Sequence, residues 1–455
     1  MKKRNLIFIA AMILAACAPP VESLSPTATA RPVKTPSATQ TPLSGSQLGV
    51  PEEALKGVTI QVWHPWFDVE ASLFNSLVEE FNQKNEWGIK VEPASQVNYS
   101  YLYETVSASL PTPNHPNLVI ALPEQAQAWN DERVVSDLAP YVSDPKYGIE
   151  ANDFPNIFWT QDALGDARLA VPAQRTARFL IWNETWAKSL GFDAPPETPE
   201  DFQLQACRAH QSMLADQSAK NDGRGGWLVD TSWQTALSWM LAFEGGVLEQ
   251  NDYRFLTPNN IAAFKYLRQL SEQGCAWQAP ADVDAYLAFA NREALFATAS
   301  LEDLSGQMRA FSDAGNSDKW TVIPFPGLKR PALVAYGSSY VILKSEKEKE
   351  LAAWLFVRWM LEPQQDARMA EATHLFPLRS STLDLLADYK RTHPQWAQAV
   401  NLIPEMTLQP QLASWRNVKI MLGDGFSQMY RMNIPSGQIA AVLAQMEATS
   451  RDLSK

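Results

Sequence analysis

The stretch VTIQVWHPWFDVEASLFNSLVEEFNQ, residues 58–83, contains the pattern from which the fold can be worked out. Residues 58–63 are rich in β-forming side chains, and His64-Pro65 ends this run because proline lacks the amide hydrogen that a strand interior needs. Apolar side chains then recur at helical spacing, at Leu73, Phe74, Leu77, Val78 and Phe81. A strand, a break and an amphipathic helix in this order are typical of the first unit of an α/β domain.

Strands and helices continue to alternate beyond this unit. The run NLVIAL at 117–122 is continuously apolar, which is typical of a strand buried on both faces of a parallel sheet. Other patterns predict strands at 89–93, 322–325 and 339–343, and helices at 99–110, 184–190, 199–214 and 347–361. We therefore predict an α/β fold with a mainly parallel sheet. The roughly 400 residues after position 51 are enough for two lobes, each with its own core.

The N-terminus has the pattern of a secretory signal. Three cations at positions 2–4 precede a short apolar run at 6–14, which is far below the roughly 20 residues of a membrane span. The sequence LAAC that ends at Cys17 resembles the bacterial lipobox. This resemblance implies that a signal peptide, residues 1–16, is removed and that Cys17 carries lipid. An ordinary signal peptide followed by a chance cysteine is the alternative.

Residues 17–51 have the composition of a disordered tether. They are rich in proline, serine and threonine, contain one acidic residue and have no aromatic side chain. Such a segment cannot bury enough apolar surface to offset the entropy of ordering it. We expect the folded part of the protein to lie outside the cytoplasm, held at the cell membrane only through the lipid on Cys17.

Charge and aromatic content narrow the classes of partner. The formal net charge of −12 argues against nucleic acid or an anionic lipid surface as a partner. The 16 tryptophans are more than packing requires, and indole faces are well suited to stacking on flat apolar ligand surfaces. A small ligand is therefore the expected partner.

Cys207 and Cys275 are the two cysteines that remain besides Cys17. An even pair in an exported, oxidising setting predicts a disulfide between them, with two buried free thiols as the alternative. Neither cysteine has the spacing of a metal site, so no metal is predicted.

Five segments, in this order, resemble the extracellular solute-binding proteins of ABC importers, specifically the large maltose-binding-protein-like sugar-binding group. The first is residues 58–83, and the second, LAVPAQRTARFLIWNETWAKSLGFDAPPETPEDF at 169–202, matches the group's strand, helix and Pro-Pro-x-Thr turn. The others are Gly245-Gly246, the segment FPG at 325–327 followed by 337–365 and FPLRSS at 376–381, and PEMTLQPQLASWRNVKIMLGDGF at 404–426. The chain departs from the group at 291–300, where it has NREALFATAS instead of the usual Gly-Lys-Ala-Ala-Met.

The resemblance implies a periplasmic-binding-protein-like fold, with two α/β lobes around a ligand cleft and three crossovers between them. Lobe one is expected at 52–173 plus 298–341, and lobe two at 174–297 plus 342–455. The partners expected from the resemblance are a small molecule and ABC permease subunits. The protein is expected to be a monomer without a cofactor.

Nine residues are candidates for contact with the ligand by their position relative to the group's ligand loops. Two follow the first strand, two follow the third, one lies at the first crossover, two precede a helix of lobe two, one lies at the second crossover beside Glu302 and Asp303, and one begins the final ligand-side helix. They are Trp63, Trp66, Glu124, Gln125, Arg175, Asp230, Trp233, Ser300 and Trp415. Each also has a structural explanation: lid packing for the first two tryptophans, a helix-dipole contact for Glu124, an ion pair between lobes for Arg175 and a core position for Trp415.

A neutral oligosaccharide fits these side chains best, because aromatic faces bind sugar C–H surfaces and carboxylates and amides bind hydroxyls. A polyamine or a phosphoester is the alternative ligand. The chain has no P-loop, G-x-S-x-G or H-E-x-x-H motif, so a binding protein rather than an enzyme is predicted. A surface polysaccharide adhesin and a glycoside hydrolase are the other functions considered, the latter because paired carboxylates come together only in the fold.

Overall fold

The computed structural model describes residues 45–454. The signal peptide, the lipidation of Cys17 and most of the proposed tether therefore lie outside the described residues. The folded body begins earlier than the predicted boundary at 51. The Ser46 hydroxyl donates to the Asp144 carboxylate at 3.1 Å, the Gln47 amide donates to the same carboxylate at 2.7 Å, and Leu48 packs on the first core.

The chain alternates between short strands and longer helices throughout. The strands are β1 Thr59–His64, β2 Lys90–Ser95, β3 Leu118–Ala121, β4 Ala163–Leu164, β5 Ala167–Arg168, β6 Val171–Pro172, β7 Thr176–Ala177, β8 Phe179–Asn183, β9 Gly225–Leu228, β10 Leu248–Glu249, β11 Asp252–Tyr253, β12 Ala276–Trp277, β13 Ala294–Ala299, β14 Trp320–Ile323, β15 Leu333–Tyr336, β16 Ser339–Ile342 and β17 Met406–Leu408.

The α-helices are α1 Asp68–Lys84, α2 Tyr99–Ser109, α3 Pro123–Asp131, α4 Ala139–Val142, α5 Asn156–Thr160, α6 Glu184–Ser189, α7 Pro199–Leu214, α8 Trp233–Ala242, α9 Pro258–Glu272, α10 Ala285–Ala290, α11 Leu304–Asp313, α12 Lys347–Met360, α13 Pro363–Thr373, α14 Ala387–Thr392, α15 Pro394–Asn401, α16 Trp415–Arg431 and α17 Ile439–Leu453. Short 3-10 helices occupy Glu52–Leu55, Ala151–Asp153, Leu301–Asp303, Ser380–Asp384, Ile403–Glu405 and Ser436–Gln438.

The first lobe is built on a five-stranded sheet in the order β2-β1-β3-β16-β6. Strand β1 runs parallel to β2 and β3, whereas β16 is antiparallel to β3 and β6. One face of the sheet is covered by α1 and α12, whose aromatic side chains interlock: Phe81 meets Phe356 edge-on at 5.1 Å between ring centroids. The strand and helix predicted from residues 58–83 are confirmed.

The second lobe is built on a separate five-stranded sheet in the order β12-β9-β13-β8-β14. Strands β9, β12 and β13 are parallel, and β8 runs antiparallel between β13 and β14. A core on one face contains α8, α9, α16 and α17, and a second core contains α10, α11 and α15. Two α/β lobes are therefore present, as the sequence analysis expected.

The division of the chain between the lobes differs from the expected one. Residues 298–341 were assigned to lobe one, but β14 pairs with β8 and so completes the sheet of lobe two. Residues 342–455 were assigned to lobe two, but the apolar face of α12 fills the core of lobe one. The chain therefore crosses between lobes through β7, through β15 and the residues before β16, and again near the end of α13.

A small sheet of order β17-β15-β7 lies at these crossings. Strand β15 pairs antiparallel with β7 and parallel with β17, so the segments that join the lobes are hydrogen-bonded to one another. At Gly337 (φ +151°), a Cβ would lie 2.1 Å from the carbonyl oxygen of Gln174, so only glycine allows the two crossing segments to pass this closely.

The predicted disulfide between Cys207 and Cys275 is present. It joins α7 to the residue directly before β12, an edge strand of the second sheet. The two cysteines are separated by 68 positions, so the bond closes a long loop within one lobe.

His64, at the end of β1, is a buried histidine with a depressed pKa. Its side chain is 1% exposed and packs edge-on against Phe74, with 4.9 Å between ring centroids. Within the described residues its Nδ1 has no hydrogen-bond partner. Desolvation by burial lowers the pKa of His64 to about 4, so the ring is neutral at neutral pH.

Within residues 45–454, none of the helices combines the length and the apolar character needed to span a bilayer.

Replacing both Cys207 and Cys275 by alanine is expected to lower the free energy of unfolding by about 4 kcal/mol, the loop-closure contribution of a bond across a loop of this length. Denaturant melts of both proteins, with and without reductant, measure the difference. Reductant should lower the midpoint of the wild type and leave the variant unchanged. Equal wild-type midpoints in oxidising and reducing buffer would contradict the prediction.

The titration of His64 predicts a loss of stability in acid. Its pKa in the folded state lies below the unfolded value of about 6.5, so the unfolded state binds more protons between these values and stability falls as pH falls. From pH 7 to pH 5 this histidine should cost the wild type about 2 kcal/mol of unfolding free energy. A His64→Leu variant should lack this component when the two are compared by denaturant melts. Parallel pH profiles of the two proteins would show the prediction to be wrong.

Candidate ligand-binding site

The candidate site lies where the two lobes face each other. The carboxyl ends of β1, β2 and β3 point toward it from lobe one, and the carboxyl ends of β9 and β13 point toward it from lobe two. The loops and helix N-termini that follow such strands are where α/β sheets bind ligands. The crossing segments described above form the base of this cleft.

Gln174, in the first crossing segment, connects the base of the cleft to lobe one. Its Oε1 accepts from the Trp66 indole at 2.9 Å, and its Nε2 donates to the Glu70 carboxylate at 3.2 Å. Trp66 is 2% exposed, so its ring is already packed against Phe74 and the protein interior. The predicted site residue Trp66 therefore lies at the cleft, but most of its surface is covered.

Tyr99 begins α2 beside this group and is half-buried. Its hydroxyl lies close to the Trp66 indole and to the Ser338 hydroxyl. Burial raises the pKa of Tyr99 to about 12, and the carboxylates of Glu70 and Glu302 add to the shift. Glu70 belongs to lobe one and Glu302 follows β13 in lobe two, so carboxylates from both walls of the cleft act on the Tyr99 hydroxyl.

Trp63 faces away from this group. It lies on β1 with its side chain packed against a separate core, which includes Leu102 and Val106 of α2. Side chains alternate between the two faces of a strand, and Trp63 lies on the face opposite to Val62, which belongs to the core under α1 and α12. The structure therefore does not bring Trp63 together with the other predicted site residues.

Glu124 and Gln125, at the N-terminus of α3, lie at the rim of lobe one. Gln125 is used internally: its Oε1 accepts from the Leu122 amide at 3.0 Å and its Nε2 donates to the Tyr99 carbonyl at 2.7 Å. Glu124 forms an ion pair with Lys419 of α16, which belongs to lobe two. Its second carboxylate oxygen, Oε2, is buried and has no partner among the described residues.

Arg178 organises the wall of lobe two. Its Nη2 lies 3.1 Å from Asp230 Oδ1 and its Nη1 lies 3.3 Å from Asp303 Oδ2, while Nη1 also donates to the Ser300 hydroxyl at 2.9 Å. Ser300 in turn shares a hydrogen bond of 2.6 Å with the hydroxyl of Tyr336. Burial alone would raise the pKa of Asp230, but Arg178 and hydrogen bonds from neighbouring hydroxyls outweigh it and lower the pKa.

The predicted residues Asp230 and Ser300 are thus brought together by an arginine that the sequence analysis missed. A cavity of about 230 Å³ opens beside them, lined among others by Arg178, Asp230, Tyr286 and Asp303. Ser300 was expected at the second crossover between the lobes, and this expectation is wrong. The chain continues from Ser300 through α11 into β14 of the same lobe.

Trp233, the first residue of α8, is the tryptophan that lobe two leaves half-buried at the cleft. Its ring meets Trp415 edge-on at 5.5 Å and Tyr336 edge-on at 5.9 Å between centroids. The ammonium of Lys419 lies 5.5 Å from the Trp233 ring centroid. Trp233 therefore contributes an aromatic surface next to the Glu124–Lys419 ion pair.

Trp415 lies in the core rather than at the surface of the cleft. Its side chain is 0% exposed, its Nε1 donates to Gln409 at 3.1 Å, and its ring is stacked beside Tyr253 at an interplanar angle of 18°. The stacking role expected for Trp415 is thus corrected: Tyr253 and Trp233 cover its ring, and it supports Trp233 from behind.

Arg175 is also a buried residue, contrary to the expected ligand contact. Its guanidinium forms an ion pair of 2.6 Å with Asp162, and both side chains are 0% exposed. It also donates to the backbone carbonyls of Gln174 and Ser338, while its own carbonyl accepts from the Phe376 amide at 3.0 Å. Arg175 therefore contacts all three segments that cross between the lobes.

Gln174 and Arg178, which sequence reasoning missed, share one signal with Thr176. In an extended chain, side chains two positions apart lie on the same face, so Gln174, Thr176 and Arg178 face together and Arg175 faces away. Thr176 donates to Glu302 at 3.2 Å, which places all three on the cleft side. Among the described residues, no three His, Cys, Asp or Glu side chains are grouped so that they could hold a metal ion.

Comparison with known proteins identifies the family. The model of the family described as bacterial extracellular solute-binding protein matches residues 76–402, well over half of the chain. A search of curated proteins found no match.

Three solved structures show the same fold. The sugar-binding protein MalE from the phytopathogen Xanthomonas citri is 18% identical, with a TM-score of 0.74 over 87% of this chain and 97% of that chain. The cyclic alpha-maltosyl-1,6-maltose binding protein from Arthrobacter globiformis is 16% identical, with a TM-score of 0.71 over 86% and 98%. UgpB from Mycobacterium tuberculosis, solved in complex with glycerophosphocholine, is 17% identical, with a TM-score of 0.69 over 87% and 98%.

The periplasmic-binding-protein-like fold predicted from the sequence is confirmed by these similarities. With two lobes around a shared cleft and a family match over residues 76–402, the chain belongs to the bacterial extracellular solute-binding proteins.

Proposed function

We propose that this protein captures a small carbohydrate-like ligand between its two lobes and delivers it to the permease of an ABC importer. The observation that carries the proposal is that both lobes contribute to one cleft: Tyr99 and Glu70 from lobe one, and Arg178, Tyr336 and Trp233 from lobe two. Aromatic rings beside carboxylates and hydroxyls match the chemistry of a sugar, which has flat C–H faces and a rim of hydroxyls.

The likeness to sugar-binding structures supports an oligosaccharide as the ligand class. The proposed site keeps three of the predicted ligand residues, Asp230, Trp233 and Ser300, and Glu124 lies at its rim.

The proposed site also includes four residues outside the predicted set, namely Arg178, Tyr99, Tyr336 and Glu302. The remaining predicted residues are not proposed to contact the ligand directly. Three of them hold neighbouring residues in place, namely Gln125, Arg175 and Trp415. Trp66 is mostly covered at the base of the cleft, and Trp63 lies outside the site.

Closure of the lobes is part of the proposal. The Glu124–Lys419 ion pair and the contact of Arg416 with Tyr103, 4.5 Å from the guanidinium to the ring centroid, both join α16 to lobe one. A ligand that touches both walls favours the state in which they are close together. The hinge is proposed at the three crossing segments.

We further propose that the protein is a monomer held at the outer face of the cell membrane by lipid on Cys17. This proposal rests on the LAAC sequence and the composition of the segment that follows it. A chain released by signal cleavage and anchored by two acyl chains would remain stably at the membrane.

The Cys17→Ala variant is expected to leave the membrane fraction and collect in soluble form outside the cell, because it lacks the attachment point for lipid. Fractionation of cells and medium with immunodetection measures this, and Ser25→Ala, which leaves the lipobox and the disulfide intact, is the matched control. Membrane retention of Cys17→Ala would contradict the lipid anchor.

Two tryptophans in contact are expected to respond differently to replacement. A thermal-shift panel of oligosaccharides, polyamines and glycerol phosphates first selects a ligand, and calorimetric titration then compares variants. Trp233→Ala should weaken binding by about 2 kcal/mol, roughly 30-fold in Kd, because a half-buried cleft aromatic is lost. Trp415→Ala should instead lower the free energy of unfolding by about 3–5 kcal/mol, because it leaves a cavity in the core.

The Trp87→Ala variant removes a tryptophan that packs against Tyr147 and the core of lobe one, and it serves as the control for the affinity measurement. Unchanged affinity in Trp233→Ala would remove this residue from the site. A panel without any stabilising ligand, together with an unchanged radius of gyration in small-angle scattering, would contradict capture between the lobes.

A further inference from the structure

Carboxylates outnumber cations in the cleft. Around its described walls the carboxylates are Glu70, Glu124, Asp230, Glu302 and Asp303, and the cations that meet them are Arg178 and Lys419. Arg178 is shared by two aspartates and Lys419 is paired with Glu124. Two of the five carboxylates are therefore left without an ion pair in the described structure.

These two carboxylates are Glu70 and Glu302, and both have only neutral hydrogen-bond partners. The Gln174 amide donates to Glu70 at 3.2 Å, and the Thr176 hydroxyl donates to Glu302 at 3.2 Å. Burial raises the pKa of half-buried Glu70. The protein around the cleft raises the pKa of Glu302 in the same direction, although its side chain keeps contact with solvent and the charge of Arg178 opposes the shift without forming an ion pair. A carboxylate that loses hydration without gaining a cation is electrostatically unsatisfied.

The two carboxylates flank the same crossing segment from opposite lobes. Glu70 of α1 accepts from Gln174, and Glu302, which follows β13, accepts from Thr176 two positions further along this segment. Both carboxylates also contribute to the raised pKa of Tyr99. His64, which packs beside Trp66, cannot neutralise them, because it is uncharged at neutral pH. A group held between the lobes at Tyr99 therefore meets two negative charges and an aromatic ring.

The protein already contains an ammonium bound by the same combination of groups. Lys419 is paired with Glu124 and lies 5.5 Å from the centroid of the Trp233 ring, so its charge is met by one carboxylate and one aromatic face. Glu124 also keeps a second buried oxygen, Oε2, without a partner in the described residues. The acidic, aromatic character thus extends from Tyr99 to the rim of the cleft.

We propose that the ligand carries a positively charged amine, which binds between Glu70 and Glu302 against the ring of Tyr99. This inference rests on the proposed function and specifies its ligand: a saccharide that bears free amino groups rather than a neutral one. The ammonium supplies the missing cation, and the hydroxyls of the sugar ring meet the polar cluster of Arg178, Asp230 and Ser300.

Calorimetric titration of the full chain in detergent tests the charge directly. The probes are a glucosamine trisaccharide, its N-acetylated counterpart, maltotriose and spermidine, at a slightly acidic pH that protonates the sugar amine. The glucosamine trisaccharide should bind at least about ten-fold more tightly than the N-acetylated form, because acetylation removes the charge while keeping the ring. Raising the salt concentration should reduce this preference.

The Glu70→Gln/Glu302→Gln double variant should lose the preference for the amine while keeping its melting midpoint. Glu53→Gln, on the exposed surface of lobe one, is the control and should retain the preference. If spermidine binds and none of the saccharides does, the amine is supported and the carbohydrate part of the proposed function fails. If maltotriose or the N-acetylated sugar binds as tightly as the glucosamine trisaccharide, the inference is overturned and the proposed function stands. If neither amine probe binds, the inference is likewise overturned.

Discussion

The buried ion pair of Arg175 with Asp162 is the constraint on which the arrangement of the two lobes depends. Through the same residue, hydrogen bonds reach the backbone of the first, second and third crossing segments, at Gln174, Ser338 and Phe376. Removing Asp162 would leave the buried charge of Arg175 without a counter-charge, which is among the costliest defects in a protein interior. The three segments are therefore held at one point, and the walls of the cleft take their positions from it.

The first crossing segment, residues 174–178, contributes both to the protein interior and to the wall of the cleft. Residues 174–178 alternate, so Arg175 and Ala177 point into the protein. Gln174, Thr176 and Arg178 point to the opposite side, where they donate to the carboxylates of Glu70, Glu302 and Asp230. Gln174 contacts lobe one, and Arg178 holds the two aspartates of lobe two. A shift of one position along this strand would exchange the two sets, so its pairing with β15 maintains both the interior ion pair and the polar surface.

Local pattern predicted much of the fold and less of the site. The strand and helix of residues 58–83 and helix α7 depend on nearby residues, and all are present. The disulfide was predicted because two cysteines remain besides Cys17, and it is also present. Strand β14 was placed in the wrong lobe because its partner, β8, lies far away in the sequence. Trp415 was expected at the ligand because it begins the final ligand-side helix in the resemblance. Its burial is produced by Tyr253 and Trp233, distant residues whose approach no local spacing reveals. Arg175 was predicted and Arg178 was missed, because the phase of a two-residue strand is hard to read from sequence alone.

The position of Lys419 has a consequence for selectivity. By lying over Trp233 and pairing with Glu124, this side chain acts as an internal competitor for an aromatic surface that a ligand would use. A ligand that stacks on Trp233 must displace this ammonium or share the ring with it. The net gain from stacking on this ring is therefore smaller than it would be on an uncovered tryptophan.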